Sequence, residues 1–229
     1  MTLSGALGAS QVLIAEGPGH RRITLDLASS TGFFSAIPGF ENLFVDLNLD
    51  DVSAVRLRNP FSSLTELYLP NTALDCDLLV SLPKMKTHHW DGATLAMKNL
   101  FGLVPGSIYG WPKNVLHWAG IHESIADLHH LFPRHFCVVD GIDAMQGNGP
   151  ILGSVRHAGV IVAGCHPPSV DATCCQVMGI DPSAIRYLGL VARRTGWRTT
   201  DIRQTGESIH SVQTPFDLPP GLQGLRLRV

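Results

Sequence analysis

Two lysines, Lys84 and Lys86, follow a short apolar run at residues 77–82, and His88 comes two positions later. In open α/β sheets, ligands bind beyond the carboxyl ends of the strands, where loops bring polar side chains together. Side chains at i and i+2 point the same way in an extended chain, so the two ammonium groups would form a cationic cradle. Such a cradle suits a carboxylate, a phosphate or an enolate. An exposed, solvated basic loop is the alternative for this pattern.

A third lysine, Lys98, stands with Asn99 inside the apolar segment at residues 95–103. A lysine in such a segment is costly unless it has a partner or a ligand. His117 and His122 follow on a predicted helix. They are five positions apart, so they do not share a helix face in the manner of an H-E-x-x-H metal site.

Acidic residues stand at the ends of two further predicted elements. Asp140 follows a predicted strand and opens a glycine-rich segment that contains Asn148. Asp171 lies in the first turn of a predicted helix, where the helix dipole favours a carboxylate without any function. A glycine-rich turn capped by Asp140 is the alternative for the first site. Cys165 beside His166 does not form a convincing nucleophile, because neighbours in an extended chain point apart.

These residue types predict an enzyme that binds a small anionic organic substrate or cofactor and transfers a proton, as in isomerisation, or hydrolyses a bond. The catalytic candidates are Lys84, His88, Lys98, His117 and Asp140. The candidates for holding the substrate are Lys86, Asn99, Asn148 and Asp171. A divalent metal could bind through His88, His117, Asp140 and Asp171, although that set has no diagnostic spacing.

Two other functions remain open at this stage. A non-catalytic carrier or assembly factor for an anionic or metal cofactor would need the same lysines and histidines, but no group with a shifted pKa. A redox accessory protein is the other alternative. No basic stripe predicts nucleic acid as a partner, because the formal net charge is −2 with 17 basic and 19 acidic residues. A homo-oligomer is compatible with the composition.

Short apolar runs alternate with helical patterns along the chain, which predicts an α/β fold with a mainly parallel or mixed sheet covered by helices. We expect a single domain at residues 1–212 and an extended or partly disordered tail at residues 213–229. The predicted strands include residues 77–82, 135–139 and 159–163, and the predicted helices include residues 94–103, 115–131, 169–178 and 182–195.

The sequence predicts a cytoplasmic protein. The first residues lack a basic region followed by an apolar run, and the apolar stretches are shorter than the about 20 residues that span a bilayer. Five cysteines at irregular spacing, without C-x-x-C, indicate reduced thiols, with neither a disulfide framework nor an iron–sulfur cluster.

Taken in order, the motifs resemble the family catalogued as domain of unknown function 362. The matching segments are K-M-K-T-H at residues 84–88, M-K-N-L-F-G at 97–102, P-G at 105–106, His117, V-D-G at 139–141, G-x-G-P-I-x-G at 147–153, V-D-A at 170–172 and M-G-I-D-P at 178–182. The resemblance covers residues 77–190 and implies no assigned biochemical role. Many relatives carry a ferredoxin-like module with eight cluster-binding cysteines, which this chain lacks. Relatives also tend to have an acid where Gln146 stands, and an aspartate near Cys165.

Overall fold

The computed structural model describes residues 8–20, 22–133 and 135–227. The chain divides into two compact units. The first comprises Met1–Arg56, Glu66–Cys76 and Gly102–Val115, and the second comprises Leu57–Thr65, Asp77–Phe101 and Leu116–Val229. All the residues at which we predicted a site belong to the second unit.

The first unit contains two strand pairs. Strands β1 (Ile14–Glu16) and β2 (Phe44–Asp46) pair in parallel, whereas β3 (Val52–Arg56) and β4 (Glu66–Pro70) form an antiparallel pair. Short helices connect them. The helices of this unit are α1 (Thr24–Ser30), α2 (Phe33–Ala36), α3 (Phe40–Leu43) and α4 (Asn71–Asp75). Helix α6 (Gly106–Tyr109) also belongs to it and follows α5 (Ala96–Asn99) of the second unit in the chain.

The second unit is built on a mixed sheet, which confirms the predicted α/β class. Its strands are β5 (Leu79–Ser81), β6 (Lys84–His88), β7 (Gly92–Thr94), β8 (His135–Asn148) and β9 (Leu152–Gly164). Both β5 and β6 pair in parallel with the same edge of β8. Strand β7 is antiparallel to β6, and β9 is antiparallel to β8.

Helices cover one face of this sheet. They are α5 (Ala96–Asn99), α8 (Ile121–Leu131), α9 (Pro167–Val177) and α10 (Arg186–Thr195), with short α7 (Val115–Trp118) and α11 (Ile209–Val212). Met85 and Val139 of the sheet share one buried core with Ile125, Ala172 and Leu188 of the helices. Burial of this apolar surface is the main favourable term in folding, and it fixes the ends of the strands relative to α5.

Three predicted elements differ from the structure. Residues 84–88 form strand β6 and not a loop, because the chain continues along β8 past Pro83, whose carbonyl accepts a hydrogen bond from the Asp140 N–H at 2.9 Å. The alternative of a turn at Asp140 is wrong, since β8 runs on to Asn148 and pairs with β9 from Cys137 onward; the turn of the glycine-rich segment comes at residues 149–151. The predicted helix at residues 115–131 is interrupted at Gly120, whose φ of 104° is left-handed.

The described part of the tail packs against the second unit as an extended segment. Phe216 is fully buried, and the N–H groups of Thr214 and Phe216 donate to the carbonyls of Val177 and Met178 at 2.8 and 2.9 Å. The last two residues of the predicted tail, at 228 and 229, lie outside the described residues.

Thiol labelling tests this arrangement of the core. Each of the five cysteines is a thiol; Cys76 and Cys165 are exposed, and Cys137, Cys174 and Cys175 are buried. Burial raises the pKa of Cys137 to about 12, which suppresses its reactive thiolate. A chromogenic disulfide reagent should therefore label two thiols quickly in the native protein and five after denaturation. A native count above two, or a denatured count below five, would contradict the fold.

Candidate functional site

A tight hairpin between β6 and β7 carries the first part of the site. His88 ends β6 and pairs with Gly92, so residues 89–91 form the turn. Gly92 has a φ of 82°, and a Cβ there would lie 2.6 Å from Leu225 Cδ1, so the position requires glycine. His88 Nδ1 accepts the backbone N–H groups of Trp90 and Asp91 at 3.1 and 3.2 Å. The imidazole thereby fixes the turn that carries Asp91.

The carboxylate of Asp91 is fully buried among three basic side chains. Its Oδ2 lies 3.4 Å from Lys98 Nζ and 3.3 Å from His88 Nδ1, and its Oδ1 lies 3.8 Å from His122 Nδ1. We call His88, Asp91, Lys98 and His122 the Asp91 cluster. The Lys98 side chain is only 7% exposed, and its Nζ also lies 4.1 Å from the centre of the Phe101 ring. The cluster therefore combines a buried anion with a buried cation.

Neither oxygen of Asp91 completes a hydrogen bond with any of the described residues. The Lys98 contact is an ion pair at 3.4 Å, which is longer than the about 2.7–3.2 Å of an ordinary N–H···O hydrogen bond. A buried carboxylate with unmet acceptors is unusual, because leaving each one unsatisfied costs about 1–3 kcal/mol. Asp91 therefore has unused capacity to accept a hydrogen bond or a proton.

Burial shifts both members of the central pair towards their neutral forms. It raises the pKa of Asp91, which Lys98 and His122 oppose, and it lowers the pKa of Lys98, which Asp91 opposes. Lys86 adds to the lowering of the Lys98 pKa, so this second ammonium group lies within electrostatic range. The proton affinities of the two groups are thus brought closer together than they are in water.

His88 is neutral at physiological pH. Burial, followed by the charge of Lys98, lowers its pKa to about 2. Because Nδ1 accepts two N–H groups, the ring proton is on Nε2, which can donate but cannot act as a base. The His88–Asp91 contact is consequently not an ion pair. Within the cluster His122 is the better candidate for accepting a proton, although burial also lowers its pKa.

Helix α5 holds Lys98 in place through Asp171. The Asp171 carboxylate accepts the N–H groups of Ala96 and Met97 at 2.8 and 3.2 Å and the hydroxyl of Tyr187 at 3.1 Å. Asp171 is fully buried, and burial raises its pKa to about 7. Its oxygens are occupied by the first turn of α5. Asp171 thus positions α5 in this structure, and its contact with a substrate stays a prediction.

Aromatic rings surround the cluster. The His117 ring lies 5.6 Å from the Trp90 ring and 5.7 Å from the Phe101 ring, both nearly perpendicular. His88 and His89 stack at 4.8 Å, and the Trp90 side chain is exposed. His117 also contributes to lowering the pKa of His88. The structure therefore places His117 beside the aromatic rings next to the cluster.

Other predicted site residues lie elsewhere. Lys84 Nζ and Asp140 Oδ2 form an ion pair at 2.5 Å, with both side chains nearly half exposed. This pairing follows from the strand register, in which Lys84 stands opposite Asp140. Asn99 Nδ2 donates to Ser81 Oγ at 3.0 Å, and Asn148 is exposed at the end of β8. The structure thus groups Lys86, His88, Lys98 and His117, but not these four.

Within the described residues, no group of three or more His, Cys, Asp or Glu side chains is placed to hold a metal ion. The set proposed for a divalent metal from the sequence does not assemble, since Asp140 pairs with Lys84 and Asp171 caps α5. The donors present around Asp91 do not fit a metal centre, because an ammonium group occupies one side of the carboxylate.

Sequence reasoning missed two members of the cluster. Asp91 precedes Gly92, and Asp-Gly after an extended segment is a hairpin signal that would have placed Asp91 beside the strand end. His122 was set aside because it is five residues from His117. Gly120 and the break between α7 and α8 make that helical spacing irrelevant.

Substitution of His88 separates its structural role from any chemical one. His88→Ala leaves two backbone N–H groups without their acceptor and should lower the free energy of unfolding by about 1–3 kcal/mol. His88→Asn supplies an oxygen that can accept N–H groups two and three residues on, so it should recover much of this loss. Chemical denaturation of both variants measures the difference. Equal destabilisation by Ala and Asn would contradict the capping role.

Comparison with known proteins adds a family relationship and one relative. The chain is 28% identical over 146 residues to the thylakoid-associated protein sll1697 of Synechocystis sp. (strain ATCC 27184 / PCC 6803 / Kazusa). The match includes 62% of this chain and 44% of the relative, so the chain spans less than half of that protein. The comparison with solved structures gave no match.

In the described part of the chain, no helix is both long enough and apolar enough to cross a membrane. The sequence model of the family called Domain of unknown function (DUF362) matches residues 2–176, which extends the resemblance towards the amino end and includes every residue of the Asp91 cluster. Because this match covers well over half of the chain, the protein belongs to the DUF362 family.

Proposed function

We propose that the protein is an enzyme that binds a small anionic organic molecule beside Lys98 and transfers a proton with the Asp91 cluster. The observation that carries the proposal is the buried Asp91–Lys98 pair, whose carboxylate has unused acceptor capacity. A purely structural pair would be expected to complete its hydrogen bonds, because buried polar groups in folded proteins are nearly always satisfied.

Anion binding follows from the two lysines. Lys98 is buried, and Lys86 is close enough to lower its pKa. A bound carboxylate or phosphate would favour the charged form of both ammonium groups and offset the repulsion between them. The protonated Lys98 could then stabilise negative charge that develops on the substrate, which is the largest contribution in many enzymes.

Proton transfer follows from the pKa directions. A catalytic base works best when its pKa lies near the operating pH, and burial moves the pKa of Asp91 upward towards that range. In an isomerisation, Asp91 would take a proton from the carbon next to a carbonyl or carboxylate. The electron pair would move onto the substrate oxygen beside Lys98, and the protonated Asp91 would return the proton to the neighbouring carbon. For hydrolysis, Asp91 would instead take a proton from water.

The expected setting is the cytoplasm. Five thiols without a disulfide suit a reducing compartment. The relative in Synechocystis is described as thylakoid-associated, and association with a membrane surface remains compatible with this proposal. The partner we propose is a small anionic molecule, with neither nucleic acid nor a membrane needed for the reaction.

Removal of the Lys98 charge tests the central pair. Lys98→Met keeps the aliphatic stem but leaves the Asp91 carboxylate buried without its cation, which should cost about 3–5 kcal/mol at neutral pH. The loss of the cation should raise the Asp91 pKa further, so the deficit should shrink as the pH falls and Asp91 is protonated. Denaturation at several pH values measures this. Adding Asp91→Asn to Lys98→Met should restore most of the stability.

A deficit for Lys98→Met below about 1 kcal/mol, or one that does not depend on pH, would contradict a buried ion pair.

Hydrogen exchange tests the proposed chemistry. The protein should catalyse exchange of the C–H protons next to the carbonyl or carboxylate of small 2-oxo and 2-hydroxy acids in D₂O, followed by NMR. Asp91→Asn should lower this rate by at least about 100-fold, because it removes the base. Asp140→Asn, which changes an exposed carboxylate outside the cluster, is the matched control.

Binding of these acids without exchange would instead support a non-catalytic carrier. Equal exchange rates in the Asp91→Asn and Asp140→Asn variants would exclude Asp91 as the base.

A further inference from the structure

The second face of the mixed sheet is apolar and exposed. Every second side chain points away from the helices along β8, along β9 and along β5 with its flanking residues. The cross-strand pairs Val80–Phe136 and Asp140–Ile161 lie on this face. The large apolar side chains on this face are 38 to 68% exposed. They are Leu78, Val80, Leu82, Phe136, Ile142 and Ile161. We call these six residues the open face.

One face of this mixed sheet is covered and the other is not. Parallel pairs such as β5 and β6 beside β8 belong mostly to sheets that are covered on both faces, whereas an antiparallel pair such as β8 and β9 can leave one face in water. The side chains on the other face, including Met85 and Val139, are fully buried under the helices. Isolated apolar residues on a surface need no explanation, but a contiguous patch marks an interaction site. The open face therefore needs a cover.

The charges on this face favour a second copy as the cover. Lys84 and Asp140 neutralise each other at 2.5 Å, and Asp143 contacts His157 at 2.9 Å on the same side of the sheet. Two such faces can therefore approach each other without net repulsion, whereas a strongly charged partner would find no complementary charge.

The size of the open face agrees with a modest dimer interface. At the observed exposed fractions, the six side chains present on the order of 500 Å² of apolar surface. A standard interface buries about 800 Å² on each partner, of which somewhat more than half is apolar. Face-to-face packing of two sheets, about 10 Å apart with the strands nearly aligned, would interdigitate these side chains.

We propose that two copies of this chain associate through the open face, so that the sheet of each covers the sheet of the other. The interface is isologous, because the same residues contribute from both copies. The proposal does not depend on the function of the Asp91 cluster, whose residues are not part of the open face.

Sedimentation velocity of the full chain over a range of micromolar concentrations tests this. The wild type should be a dimer. Val80→Lys and Ile161→Lys place a charge in the centre of the interface and should each raise the dimer dissociation constant at least about 100-fold. Both side chains are already exposed, so the variants should keep the wild-type circular dichroism and melting temperature. If one variant fails to fold, the other still tests the interface. Leu152→Lys, which changes an exposed leucine of β9 outside the open face, is the control.

Dimers in the wild type and in Leu152→Lys, with monomers in the two open-face variants, would support the proposal. A monomeric wild type would overturn it and leave the face to a different protein. Dimers that persist in folded Val80→Lys and Ile161→Lys would also overturn it, because the interface would then lie elsewhere.

Discussion

Burial of the Asp91 carboxylate beside the Lys98 ammonium group is the interaction on which the rest of the site depends. Taking two charges out of water costs several kcal/mol for each ion, and their attraction compensates only when the geometry is good. Here the carboxylate lies 3.4 Å from the ammonium group and lacks a hydrogen bond from the described residues. The rest of the second unit must therefore hold the two groups together, and it does so from both sides.

Each side of the pair has its own support. On one side, His88 caps the hairpin that carries Asp91, and the glycine-rich end of β8 packs against that hairpin. Thr87 Oγ1 donates to the Gly147 carbonyl and His89 Nδ1 contacts the Gly149 carbonyl, both at 2.8 Å. A Cβ at Gly149 would lie 2.1 Å from the Thr87 carbonyl oxygen, so the approach requires glycine. On the other side, the buried Asp171 fixes α5 and therefore Lys98.

The sequence was most informative where a charged residue stood among apolar neighbours. Lys98 was recognisable because a lysine in an apolar segment needs a partner, and the strands at Leu79–Ser81 and around His135 follow from their apolar runs. Asp91 was not recognisable in the same way, because the predicted strand ended at residue 82 and the expected site therefore began at Lys84. The pairing of Lys84 with Asp140 depends on strand register, which is set by tertiary contacts and not by local sequence. In the G-x-G-P segment, Gly147 lies within β8, whereas Gly149 and Pro150 lie in the turn between β8 and β9.

The charge state of Lys98 is the most direct test of this account. NMR of protein labelled at the lysine side chains, assigned with Lys98→Met, would follow its titration with and without malonate as a dianionic probe. We expect the Lys98 pKa to lie below its ordinary value in the protein alone, because burial disfavours the charged form, and to rise when malonate binds. A Lys98 pKa at its ordinary value that malonate does not change would contradict a buried anion-binding pair.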